Sequence, residues 1–309
     1  MATETKLKLK NSVVLSGVIK DIDLTKVVNG VSKRTGKTYT AISGSLSIDT
    51  GDGNIHSLRL YHGDKFGSGK DNPGFITLDR FIREMDAAKE AGNPENPVIG
   101  QRIKVTPSFE NNLFISNGEL VKTYQIGGGF LETNPQRIGS DKAEFSVDAI
   151  VSKDLIPEIR DEVETGRFFL DAEVANYNGM VYSVRFVIEN KTGVDYINSL
   201  QKPCVLEIWG DVINTSIVRT KQTENAFGEA HVEETTFTSR ENLIKGASTE
   251  VREMTEEVEA GITAGRQLLN AAIAQREGEA KNAGGNAFSG TAQTPATPAT
   301  SAKTDSFQF

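Results

Sequence analysis

The chain has 309 residues, 37% of them hydrophobic and 25% charged, with a formal net charge of -8. That length suits about two domains, and the composition is that of a globular protein, excluding a fully disordered or membrane-spanning chain. The single cysteine, Cys204, excludes an internal disulfide, and His56, His62 and His231 lack the companions at metal-ligand spacing that a zinc site needs.

No apolar run approaches the roughly 18 residues needed to cross a bilayer. Residues 1–10 alternate lysine with leucine where a signal peptide would build an apolar block, so a cytoplasmic protein is expected. P-loop, dinucleotide-binding, HExxH and nucleophile-elbow patterns are missing, and three histidines in or beside strand-like segments leave little for triad chemistry. A non-enzymatic protein without cofactor or metal is the expectation.

Charge is uneven along the chain. Residues 1–128 hold 17 Lys+Arg against 14 Asp+Glu, residues 129–240 hold 11 against 19, and the first 60 alone carry 9 against 5. A polyanion would therefore meet the N-terminal part first.

Residues 12–23 and 27–31 are apolar and β-branched, with Asn29-Gly30 as a turn signal. Residues 38–48 and 55–61 (IHSLRLY) alternate as strands around the turn-forming stretch 49–54. The period then changes. Residues 77–91 set Leu78, Phe81, Ile82 and Met85 on one helical face, with Thr77 as the expected N-cap and Gly92 and Pro94 as the stop. Residues 101–110 and 112–124 read as two strands around Glu110-Asn111-Asn112, and Gly127, Gly128 and Gly129 read as a hinge.

The second region repeats this order. Residues 143–152 form a strand, 167–175 and 180–188 a hairpin through Asn178-Gly179, and 192–200 a short helix with Thr192 and Asp195 at capping-box spacing. Residues 204–218 are strand-rich, and 217–222 with 231–240 form a long hairpin whose tip holds Phe227. Strand, strand, strand, helix, strand, strand is the order of the oligonucleotide/oligosaccharide-binding (OB) barrel. The fold expected is mostly β: two OB-fold-like five-stranded barrels with one helix each, or else two small α+β domains of another topology.

Residues 249–275 carry an apolar stripe at Val251, Met254, Val258, Ile262, Leu269 and Ile273, read as a docked or self-associating helix weakened by Gly261 and Gly265. Residues 282–309 are rich in Gly, Ala, Thr, Pro and Ser, and are expected to be disordered up to Asp305-Ser306-Phe307-Gln308-Phe309.

Two OB-like units, a polar low-complexity linker and a tip ending in Asp and Phe resemble the single-stranded DNA-binding proteins, more the larger phage type than the compact bacterial form. In the bacterial family the end is a run of acids and then Pro-Phe, which docks replication and repair partners. Here Asp305 and Phe309 match that ending, while Gln308 replaces the proline. The resemblance implies a protein that coats single-stranded DNA in replication or recombination, acts in the host cytoplasm if phage-encoded, and self-associates. It also implies a tail that meets replication proteins through Asp305, Phe307 and Phe309.

Such binding needs cations for phosphates and aromatic faces for bases. Lys33, Arg34 and Lys37 lie between the first two strands, Tyr39 begins the second, and Arg59 and Tyr61 share one face of the third, opposite Leu58 and Leu60. Phe227 is either a stacking finger or a subunit contact. Trp209 can stack or be buried, and Phe109 and Phe114 read as core. The expected division is a basic, candidate DNA-binding first unit at 1–128, an acidic second at 129–245, a helix at 246–280 and a tail at 281–309. The competing reading is a phage structural or assembly protein making protein contacts only.

Overall fold

The computed structural model describes residues 8–32, 35–224 and 230–285, and of these the backbone alone at 216–224, 230–237 and 280–285. The first half runs β1 (Asn11–Val31), β2 (Thr38–Asp49), β3 (Ile55–Gly63), α1 (Pro73–Glu90), β4 (Arg102–Ser116) and β5 (Glu119–Glu132). After the short α2 (Pro135–Ile138) come β6 (Lys142–Val151), β7 (Ile156–Arg160), β8 (Val163–Ala175), β9 (Val181–Ile188), α3 (Lys191–Ser199), β10 (Cys204–Glu224), β11 (Ala230–Arg252) and α4 (Glu256–Gly285).

Two closed circuits of strands result. The first is β1-β2-β3-β5-β4 and back to β1, because the long β1 pairs with β4 through Leu15–Val18 and with β2 from Val18 onward. The second is β6-β8-β9-β11-β10 and back to β6, closed where Ile150 meets Glu173. In each, the third and fifth strands lie parallel, at Arg59 and Gly127 in one and at Val187 and Leu243 in the other. A helix separates the third and fourth strands of both, which is the Greek-key order of the OB barrel that the sequence predicts. The first strands of the two barrels pair with each other, Asn11–Ser16 against Lys142–Val147, so all eleven strands form one continuous ladder.

Strand alternation places the core. On β3, His56, Leu58 and Leu60 are buried while Ser57, Arg59 and Tyr61 are exposed. The apolar interior runs from one barrel into the other, joined by Phe109, Tyr124, Phe145 and Phe186, whose ring centroids lie 5.2–6.1 Å apart. Buried aromatic pairs of this kind contribute about 0.5–1.5 kcal/mol each beyond the area they bury.

Several local expectations are corrected. Helix α1 begins four residues before Thr77, because Pro73 suits the first helical position and the Asn72 side chain accepts from the Gly74 N–H at 3.0 Å. Thr77 is spent inside the helix, its hydroxyl donating to the Pro73 carbonyl. Asn190 likewise caps α3, accepting from Gly193 N–H at 2.6 Å. Glu110-Asn111-Asn112 is strand, and β4 turns only at Asn117-Gly118, both left-handed at φ 51° and 83°. The glycines at 127–129 lie within β5. Val251 belongs to β11, so the stripe expected of α4 begins after it.

Among the described residues, no helix is long and apolar enough to cross a membrane. No group of three His, Cys, Asp or Glu among them is placed to hold a metal ion.

Candidate nucleic-acid interface

The outer surface of β2 and β3 is built by pairing small residues against large ones. Ser43, Ser45 and Ser47 on β2 stand opposite Tyr61, Arg59 and Ser57 on β3, and the Ser47 and Ser57 hydroxyls lie 2.9 Å apart. Short serine side chains leave the Arg59 guanidinium and the Tyr61 ring standing clear of the sheet, with Tyr61 64% exposed. The Arg59 side chain makes no hydrogen bond or ion pair with any described residue, so its charge is free for a ligand.

Tyr39 shares this face, four residues before Ser43 and thus about 13 Å further along β2. It pairs with Gly30, and its ring covers that glycine so closely that a Cβ there would stand 2.9 Å from Cζ. One side of the ring is backed and the other is open. Lys37 is exposed at the start of the same hairpin arm. The row Lys37, Tyr39, Tyr61 and Arg59 therefore sets two aromatic rings between two cations, the combination of stacking surface and phosphate charge that single-strand binding uses. Lys33, Arg34 and Phe227 lie outside the described residues, as do Asp305, Phe307 and Phe309.

Arg59 also forms the floor of a groove of about 1150 Å3. One wall is the β4–β5 hairpin, which presents Asn111, Asn112 and Phe114, with Gln125 of β5 beside Arg59. The other wall is the end of α4. The sequence reading missed the two asparagines and Gln125, because an Asn pair next to an acid reads as a turn and an isolated Gln carries no signal. Of the two phenylalanines read as core, Phe109 is fully buried while Phe114 is 44% exposed and lines the groove.

The corresponding face of the second barrel is chemically closed. Asp171 on β8 pairs with Arg185 on β9, which donates two hydrogen bonds to its carboxylate at 2.7 and 2.8 Å. The Arg185 guanidinium also lies over the Phe169 ring, 4.9 Å from its centroid. These hydrogen bonds hold the Asp171 carboxyl below its ordinary range. Glu173 is taken by Arg266 of α4 at 2.9 Å, and Tyr182 points into the core. Among the described residues the second face thus holds no unpaired arginine, and it serves as the seat of α4. Trp209, opposite Gly246, is 41% exposed and covers that glycine.

Similar solved structures include the wild-type single-stranded DNA-binding protein from Thermus aquaticus, at 13% identity and a TM-score of 0.45, covering 81% of this chain and 97% of that one. A deletion mutant of the same protein matches at 12% identity and 0.44, over 81% and 98%. A replication protein A heterotrimer bound to single-stranded DNA matches at 10% identity and 0.19, over 84% and 53%. No curated protein matches the chain. The family model described as YorF matches residues 10–276, which takes in both barrels and most of α4, and the chain belongs to that family.

Proposed function

We propose that this protein binds single-stranded DNA without sequence preference across the β2–β3 face of its first barrel, and coats and protects that strand in replication or recombination. The observation that carries the reading is an Arg59 side chain without a partner among the described residues, on the same strand face as an exposed Tyr61 and lining a groove large enough for several nucleotides. Affinity would come from phosphate neutralisation and base stacking, neither of which depends on base identity.

In this reading residues 1–128 are the binding unit and 129–245 the scaffold that seats α4. Lys37 holds a phosphate and Tyr39 stacks a base, and Lys33 and Arg34, close to them in the chain, add further cations for the phosphates. Phe227 is a second stacking or self-association element. Asp305, Phe307 and Phe309 form a partner motif for replication proteins, and the setting is a phage-infected cytoplasm.

The test is fluorescence anisotropy of a labelled oligo-dT of about 30 nucleotides at two salt concentrations, with duplex of equal length as competitor. Tight binding that weakens with salt and resists the duplex is expected, and Arg59→Glu should remove most of it while circular dichroism is unchanged. No binding at low salt would instead leave the reading in which the barrels make protein contacts only.

A further inference from the structure

Helix α4 crosses from one barrel to the other. Its first half is fixed to the second barrel, where Val258 and Ile262, with Met254 just before the helix, pack on Ile150, Ala175, Val181 and Val205, and Arg266 pairs with Glu173. Leu269 makes its last contact with the main core. Beyond it Ala272, Gln275 and Arg276 line the groove together with Arg59 and the β4–β5 hairpin of the first barrel.

We propose that this end of α4 is a working wall of the strand-binding channel, in which Arg276 and Gln275 contact the phosphate chain from the side opposite Arg59. The proposal rests on the single-strand reading given above and adds a second, non-barrel element to its site. Space supports a wall over a plug: at about 1150 Å3 the groove already exceeds the usual volume of a small-molecule pocket, so nucleotides enter without displacing the helix. Ala272 is the smallest of the α4 side chains that line the groove.

Chemistry supports it as well. Among the described residues Arg276 is engaged by Glu279 alone, one turn on, at 3.0 Å, and the two side chains are 56% and 50% exposed. An exposed pair of that kind contributes little and gives way readily to a phosphate, which accepts the planar guanidinium in two bonds. Glu277 and Glu279 also line the groove. They repel the strand, so Arg276 is the side chain through which this wall can attract it.

The test measures oligo-dT affinity of the full-length protein against salt for the wild type, Arg276→Glu, Arg276→Gln and Glu279→Gln. Arg276→Glu should weaken binding about three- to tenfold at low salt, and Arg276→Gln should reduce the slope of log K against log salt by about 0.7, the value for one lost single-strand phosphate contact. Glu279→Gln, by freeing Arg276, should tighten binding two- to threefold, an effect that a purely structural helix would not produce.

Photocrosslinking with an iododeoxyuridine oligonucleotide should label peptides from both β3 and α4. If Arg59→Glu abolishes binding while both Arg276 variants keep the wild-type affinity and slope, the wall assignment is wrong and the barrel-face reading survives. If the wild type binds no single strand, both fail together.

Discussion

Gly265 of α4 meets the carbonyl of Gly179, in the β8–β9 turn, so closely that a Cβ on Gly265 would stand 2.5 Å from that oxygen and 2.5 Å from Cγ2 of Val181. The residue that weakens the helix as a sequence is thus the residue that lets it dock. Alanine at 265 would gain about 1 kcal/mol of helix propensity. Against this, the added methyl forces α4 away from backbone that cannot yield, and overpacking of this kind costs about 1–3 kcal/mol. Gly265→Ala should therefore lower the urea midpoint and expose the bonds after Arg266 and Arg276 to trypsin. An unchanged midpoint and cleavage pattern would show that the helix does not depend on this seat.

Asn11 ties the barrels together at the point where their first strands pair. Its Oδ1 accepts from Phe109 N–H at 3.0 Å, and its Nδ2 donates to the carbonyls of Phe109 and Ala175 at 3.0 and 3.1 Å. The Tyr182 hydroxyl donates to the same Phe109 carbonyl, in a setting whose burial pushes its phenol well above the usual range. Asn11→Ala leaves a backbone donor and a backbone acceptor without partners in a largely closed junction, a loss of about 2–3 kcal/mol. Chemical denaturation should show that loss together with a broadened transition as the barrels uncouple. A variant as stable and cooperative as the wild type would refute the tie.

The alternation in residues 55–61 was enough to place Arg59 and Tyr61 outward, because a half-buried strand writes its two faces directly into the sequence. Barrel order followed from counting strands around each helix. Helix starts were less legible, since Asn72 and Asn190 cap from positions that a search for Thr or Ser passes over. Short β7 escaped because Ile156–Arg160 places a proline and two charges in five residues. The groove was not legible at all: Asn111, Gln125 and Arg276 lie far apart in the chain, and the path of α4 that brings the last of them over Arg59 is fixed by packing at Gly179.

His56 makes stability depend on pH. It faces inward opposite Ile48, 3% exposed, its Nε2 buried without a partner among the described residues, and burial pushes its imidazole down to about 4. Burial lowers His62 too. The unfolded chain, with an ordinary histidine near 6.5, then binds more protons than the folded one between pH 6.5 and 4. Stability is full above 6.5 and declines as pH falls through that window, by about 3 kcal/mol for His56 alone. Denaturant titrations at pH 7.5, 5.5 and 4.5 should show the decline, and His56→Leu should flatten most of it. A slope unaffected by that substitution would assign the loss to other groups.

Tyr61 separates stacking from hydrogen bonding on the proposed face. Its ring stands beside Arg59 with only Ser43 across the ladder, so nothing in the described sheet competes for it. If the ring stacks a base, Tyr61→Ala should cost about 1–3 kcal/mol of binding, roughly a 5- to 150-fold loss, while Tyr61→Phe keeps nearly all the affinity. Because the face rather than the hydroxyl is used, the loss should be equal on oligo-dT and oligo-dC. The control is Arg185→Ala on the second barrel, whose guanidinium is already committed to Asp171 and Phe169, and which should leave affinity unchanged. Equal losses at Tyr61 and Arg185 would move the strand onto both barrels, and a Phe variant as weak as the Ala variant would replace stacking with a bond to the phenol oxygen.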